Sequence, residues 1–390
     1  MHIVFICHEY PPCNHGGIGS FTKDLAEGLV QSGFNVSVIG VYSSAVLEIN
    51  EQVEEEISGV KVYRLPEKKS YNLPQLNNLA NRWHLYTQIK KVHSDKKIDI
   101  LESPESQGWL PMGTPKCIPF ITRFHGGETY FGEALDRGYS RLNKILEKRQ
   151  LVHSDQLVSV SNYTAKKTLD IFRLNKPYTV IYNSVKVPEK FKIVDENSFV
   201  KHRIVFTGSV IPKKGVYELV KAMNIIFARY PDAELYLAGK NNYKVHNTFF
   251  SDILLGSLEK ESYKPRVKFL GSVDREKALF PLLSSAEVCC FPSYSEAFAL
   301  TPLESMAIGK PVVFSKLTSG PEAIEDGISG LLCNPKDPKD IAEKIMYFFK
   351  NPGKAKEIAE NGKKRVETLF SYDKWIKENI ALYQKGLDEN

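Results

Sequence analysis

The sequence contains no run of about 18 apolar residues, the least that crosses a bilayer as a helix. Among its six cysteines (Cys7, Cys13, Cys117, Cys289, Cys290, Cys333) no C-x-x-C spacing occurs. Cys289 and Cys290 sit in the apolar run EVCCF, where neighbouring strand side chains point to opposite faces and behave as small hydrophobes. A reduced compartment is therefore expected. There is no Asp-x-Asp and no His-x-x-x-His, so nothing has metal-ligand spacing and no metal is expected. Charge is nearly balanced, 52 basic against 46 acidic side chains for a net +6. A nucleic-acid binder concentrates positive charge on one face, so no nucleic-acid partner is expected. The start, MHIVFICHEY, lacks a signal peptide's charged opening and long apolar stretch. The expected location is the cytoplasm, at most peripheral to the inner face of the membrane.

What is present is an ordinary globular composition over 390 residues, 42% hydrophobic and 25% charged, enough for two cores. Short runs rich in β-branched and aromatic residues recur at 3–7, 36–41, 120–122, 157–160 and 179–182. Helical spacing separates them at Phe21–Val30, Leu76–Val92 and Arg141–Val152. Continuous apolar strands alternating with helices imply parallel sheets covered on both faces. After a polar stretch at 184–200, read as a linker, the pattern restarts at 203–208, 233–239, 267–271, 287–291 and 311–314. The expectation is α/β, with two doubly wound parallel-sheet Rossmann-like domains facing across a cleft. They span 1–185 and 186–370, with a helix at 371–390 packing back on the first. The acidic run Glu54-Glu55-Glu56 reads as a solvated loop.

The most informative segment is SYSEAFALTPLESMAIGKPVV, residues 293–313. It follows a strand, and Thr301-Pro302 marks a helix start with proline at the first position. Such a junction offers unpaired backbone N–H groups to a phosphate. Glu296 falls on the loop and Glu304 in the first turn. Glu304 can equally close a capping box with Thr301, and Glu296 can be an ordinary loop carboxylate.

Glu296-x7-Glu304 within EAFALTPLESMAIGKPVV resembles the signature of family 4 retaining glycosyltransferases, which have the two-domain GT-B architecture. The resemblance implies that Glu296 contacts the donor sugar's hydroxyls and Glu304 the ribose of the nucleotide. The amides around Phe298, Ala299, Leu300 and Thr301 would hold the diphosphate. In FTGSVIPKKGVYELVKA (206–222) Lys214 falls on the family's lysine, with Lys213 beside it. Ser209 stands where the family usually has arginine. A cation on a βα loop suits a diphosphate leaving group. In EYPPCNHGGIGSF (9–21), Gly16, Gly17 and Gly19 permit close backbone approach, and the resemblance lays this loop against the donor phosphates. Asn14-His15 occupies the place where starch and glycogen synthases carry a lysine, which argues against those enzymes.

In RFHGGETYF (123–131) the resemblance makes His125 the active-site histidine near the donor sugar's hydroxymethyl group. Glu128, and Glu102 and Glu105 of LESPESQGWL, are weaker acceptor candidates that can equally be solvated. The implied activity is retaining, metal-independent transfer of a hexose from a nucleotide sugar to a glycan or lipid-linked acceptor, in cell-surface polysaccharide synthesis. His125, Glu296 and Lys214 would be the catalytic set. The departure at Ser209 leaves a second reading, a catalytically weak nucleotide-sugar sensor or complex subunit. The basic segment 81–97, with Trp83 and Tyr86, is either a helix with a solvated basic face or a weak peripheral contact with an anionic membrane.

Overall fold

The computed structural model describes residues 1–13, 16–69, 74–188, 191 and 199–388. The chain divides into two compact units, Met1–Tyr182 with Trp375–Asn390, and Asn183–Lys374. Each is a doubly wound α/β unit, as the alternating strands and helices imply.

The first unit runs β1 (His2–Ile6), α1 (Gly17–Gln31), β2 (Asn35–Tyr42), β3 (Val53–Ile57), β4 (Val60–Pro66), α2 (Pro74–Asp95) and β5 (Ile100–Pro104). It continues with β6 (Phe120–Phe124), α3 (Glu128–Ala134), α4 (Arg141–His153), β7 (Gln156–Ser159), α5 (Asn162–Phe172) and β8 (Thr179–Val180). The sheet order is β3-β4-β2-β1-β5-β6-β7-β8, parallel except for β3 on the edge. All five β1 residues are buried, which is why HIVFI shows no alternation. The run Glu54–Glu56 is not a loop, because it forms the middle of β3. Val53, Glu55 and Ile57 turn inward while Glu54 and Glu56 face out, a period of two that a run of one residue type conceals. Glu55 pairs with the buried Arg64.

The second unit begins with β9 (Arg203–Thr207), α6 (Val216–Arg229) and β10 (Glu234–Ala238). A small hairpin, β11 (Lys244–Val245) and β12 (Thr248–Phe249), precedes α7 (Phe250–Gly256), β13 (Val267–Gly271) and α8 (Phe280–Ser284). Then follow β14 (Val288–Phe291), α9 (Leu300–Ala307), β15 (Val312–Ser315), α10 (Gly320–Ala323), β16 (Leu331–Cys333), α11 (Pro338–Lys350) and α12 (Pro352–Leu369). Its sheet, β13-β10-β9-β14-β15-β16, is wholly parallel. Cys289 and Cys290 lie buried in β14, and burial pushes the Cys289 thiol up to about 11. Most of the polar stretch at 184–200 lies outside the described residues.

The last helix, α13 (Tyr372–Asp388), belongs to the first unit from Trp375 onward. Buried polar groups hold it there. Arg123 on β6 is fully buried and pairs with Glu102 on β5 at 2.6 Å. Arg123 Nη2 donates both to Glu102 at 3.0 Å and to Asn379 Oδ1 at 2.6 Å, and the Tyr383 hydroxyl donates to Glu102 at 2.8 Å.

In both sheets the order of strand addition reverses once, at β1/β5 and at β9/β14. Loops leaving the carboxyl ends of strands diverge at such a point and leave a crevice for a ligand. The loops carrying Gly16–Gly19 and Glu105 belong to the first switch point, and those carrying Lys213–Lys214 and Glu296 to the second.

Candidate functional site

In the second unit, two loops that are far apart in sequence are built against each other. Gly215 ends the turn Pro212–Lys214 with φ +66°, and a Cβ there would lie 1.8 Å from Pro292 O. Glycine is required for both reasons. The Tyr294 amide donates to Lys213 O at 2.9 Å, fastening the β14–α9 loop to the β9–α6 loop. With the backbones so placed, Lys214 Nζ reaches Glu296 Oε1 at 2.6 Å. Glu296 is buried; burial alone would raise its pKa, but Lys214 and then Lys213 outweigh this and hold the carboxyl below its ordinary value. It is an ionised acceptor beside a cation.

Helix α9 starts at Leu300, with Ala299 at the N-cap and no side-chain cap. Pro302 is thus the third helical residue rather than the first, and Glu304 lies beyond the first turn. The capping-box alternative for Glu304 is overturned: its buried carboxylate accepts from Arg275 Nε at 2.8 Å. An alanine N-cap supplies no side-chain oxygen to the first amides of the helix, those of Leu300 and Thr301. Phe298 is held by its carbonyl, which accepts from Asn183 Nδ2 at 3.0 Å. Arg275, just after β13, was not singled out in the sequence, although a cation four residues past a glycine-ended strand is a usable signal. Ser209 follows β9 half-buried, its carbonyl turned inward to accept from the Ile211 amide.

The first unit treats its carboxylates differently. Glu102 is no acceptor contact, because it neutralises Arg123 in the core. Glu105, buried, accepts from the His125 amide at 2.9 Å and 3.1 Å and so fixes the turn His125–Gly127. Burial raises its pKa to about 8; the His125 amide opposes that shift, and the neighbouring Glu147 adds to it. Glu128 is likewise absorbed by the fold: its carboxylate accepts from the Ser140 amide at 2.9 Å and Asn143 Nδ2 at 2.6 Å, clamping the start of α4. Glu147, hidden in the helical run ILEKRQ, accepts from the Gln107, Glu128 and Thr129 amides. No motif marks it in the sequence.

His125 packs edge-on against Phe21 at 4.6 Å. Burial and then the Arg123 charge lower its pKa to about 3, so at neutral pH the imidazole is uncharged. The glycine loop also holds a carboxylate, which no motif marks. Glu9 accepts from the Gly16 amide at 3.0 Å and the Gly19 amide at 2.8 Å, occupying the head of α1. Gly17 has open space where a Cβ would stand. Asn14 and His15 lie outside the described residues. At the β1/β5 switch point a cavity of about 410 Å³ is lined by Glu9, His8, Glu67, Asn81, Gln107 and Trp109. Among the described residues no group of three or more His, Cys, Asp and Glu is placed to hold a metal.

Comparison with known proteins bears on both units. Residues 15–187 match the family model described as Glycosyltransferase Family 4, and residues 190–365 match that of Glycosyl transferases group 1. An uncharacterised glycosyltransferase of Methanocaldococcus jannaschii is 28% identical, over 100% of this chain and 99% of its own length. Among solved structures, sucrose-phosphate synthase from Thermosynechococcus elongatus has the same fold, with a TM-score of 0.80 at 21% identity over 100% of both chains. Anabaena HepE, solved in complex with UDP-glucose, superposes with a TM-score of 0.74 at 16% identity, again over 100% of both chains. The chain belongs to glycosyltransferase family 4, with the GT-B fold, and is a glycosyltransferase.

Proposed function

We propose that the protein transfers a hexose from a nucleoside-diphosphate sugar to a glycan or lipid-linked acceptor with retention of anomeric configuration and without a metal. The observation that carries this reading is the ion pair of Lys214 with the buried Glu296 beside the uncapped start of α9. A buried carboxylate held ionised is a strong acceptor for sugar hydroxyls, and the ammonium next to it neutralises a departing diphosphate. The Leu300 and Thr301 amides supply the remaining donors to that anion. Glu304, oriented by Arg275, takes the ribose hydroxyls.

In the reaction the bond from the anomeric carbon to the diphosphate breaks through an oxocarbenium-like state. The acceptor hydroxyl attacks the same face, and its proton passes to a diphosphate oxygen. His125, uncharged, acts through hydrogen bonding to the sugar rather than as a proton donor. The acceptor occupies the cavity that Glu9, Asn81 and Gln107 line. A product in cell-surface polysaccharide follows from this acceptor class.

The test is a panel of UDP-, GDP- and ADP-sugars with a chelator present, scored for binding, slow hydrolysis and the anomer of any glycoside formed. One donor bound and cleaved, and a product of retained configuration, is the expected result. Inversion, or activity that the chelator abolishes, would overturn the mechanism. Binding without cleavage across a broad acceptor panel would favour a nucleotide-sugar sensor.

A further inference from the structure

The outward faces of α2 and α4 carry large apolar side chains that the fold leaves uncovered. On α2 the core takes Leu85, Ile89 and Val92, whereas Leu76, Leu79 and Trp83 recur at helical spacing on the opposite face. Trp83 is 67% exposed and lies stacked on Tyr86, 5.9 Å between ring centroids. On α4 the buried side is Glu147, Gln150 and Leu151, and opposite it stand Ile145, 57% exposed, and Val152, 51% exposed.

The two helices are neighbours, because both grip the segment between them. Arg82 of α2 donates to Gly108 O at 3.1 Å, while Gln107 N donates to Glu147 and Leu110 N to Gln150 of α4. That segment ends in Met112, 68% exposed, with Arg149 Nη2 lying 3.2 Å from its sulfur. Exposed apolar side chains thus stand on α2, on α4 and on the segment that both helices grip. Large exposed apolar side chains clustered in this way mark an interaction surface.

Charge decides what it meets. Lys90 and Lys91 on α2, and Arg141, Lys148 and Arg149 on α4, are exposed. Among the described residues no carboxylate pairs with any of them. The only acidic residue of α2 is its last, the exposed Asp95, and the only one of α4 is the buried Glu147. Apolar anchors including a tryptophan, ringed by cations on helices whose one exposed acid is the terminal Asp95, are what an anionic lipid surface attracts.

We propose that this face of α2 and α4 docks the protein on anionic membranes, with Trp83, Leu79, Met112 and Ile145 entering the headgroup boundary. The inference does not depend on which donor or acceptor the enzyme uses. Flotation of the full chain with vesicles of pure phosphatidylcholine, or of equal parts phosphatidylcholine and phosphatidylglycerol, tests it. Binding is expected to the second only, weakening with salt, and with a blue shift of tryptophan fluorescence that Trp83→Phe removes. Lys148→Glu with Arg149→Glu should weaken it on the order of tenfold or more, since each surface cation contributes about 1 kcal/mol. Leu79→Ser with Ile145→Ser should do the same while leaving the melting temperature and donor hydrolysis unchanged. Absence of binding, equal binding to both vesicles, or binding that neither double variant alters would overturn the proposal. So would a concentration-dependent dimer that Leu79→Ser with Ile145→Ser abolishes in the absence of any vesicle binding, which would assign the face to a second copy of the chain.

Discussion

The two switch points present similar inventories and use them in opposite ways. In the second unit Glu296 and Glu304 each meet a cation, Lys214 and Arg275. In the first unit Glu9, Glu105 and Glu147 accept backbone amides, and Glu102 neutralises a buried arginine. A carboxylate beside a flexible cation on a βα loop can exchange that partner for a ligand. One that satisfies two or three amides cannot leave without orphaning buried donors. The second unit's carboxylates can therefore change partner, whereas the first spends most of its own in shaping the His125 turn and the walls of a cavity.

The largest effect that would sharpen this contrast is on stability. Glu102→Gln leaves Arg123 without its counter-charge in the core and should cost about 3–5 kcal/mol in denaturant unfolding. A loss of acceptor affinity at unchanged stability would instead return Glu102 to the site. Next in size, Lys214→Ala should lower transfer by about 100- to 1,000-fold, as removal of one donor to a developing anion typically does. Its melting curve should stay near wild type, and an unfolded variant would show that the ion pair is scaffolding after all.

Glu105→Gln divides the two roles by pH. Its carboxyl titrates higher in the folded chain, at about 8, than the roughly 4.3 of an unfolded glutamate, so the neutral form stabilises the fold. That contribution is whole below the unfolded value and is lost as pH rises through about 8. Wild type should thus lose stability on the order of 1 kcal/mol per pH unit across this window, and the glutamine variant should not. Acceptor KM should be unmoved. The smallest effect belongs to Ser209→Arg. With Lys213, Lys214 and Arg275 already at these loops, donor affinity should rise by less than about tenfold, on the order of 1 kcal/mol. A larger gain would mean that the missing arginine limits the enzyme.

Much of this architecture is legible in the sequence alone. Runs such as HIVFI and VCCF are buried on both faces, so their composition alone marks parallel strands. The hairpin of β3 and β4 was not legible, because three consecutive glutamates hide an alternation that only the partner strand reveals. The Glu296-x7-Glu304 motif located one loop correctly, yet its own residues placed the start of α9 two positions late. Proline is tolerated anywhere in a first turn, since those amides have no intrahelical acceptor. The partners of Glu102, Glu105 and Glu128 were not legible, for a common reason. Sequence gives the residue type at a strand end, whereas the partner of a buried carboxylate is set by backbone amides brought from elsewhere, such as His125 and Ser140. Glu9, Glu147 and Arg275 escaped notice on the same ground.

The most direct test of the contrast is a pair of calorimetric titrations with the donor that the nucleotide-sugar panel selects, on Glu296→Gln and on Glu105→Gln. The account predicts that Glu296→Gln loses donor binding at an unchanged melting temperature, while Glu105→Gln binds donor as wild type does. Wild-type donor affinity in Glu296→Gln would contradict it.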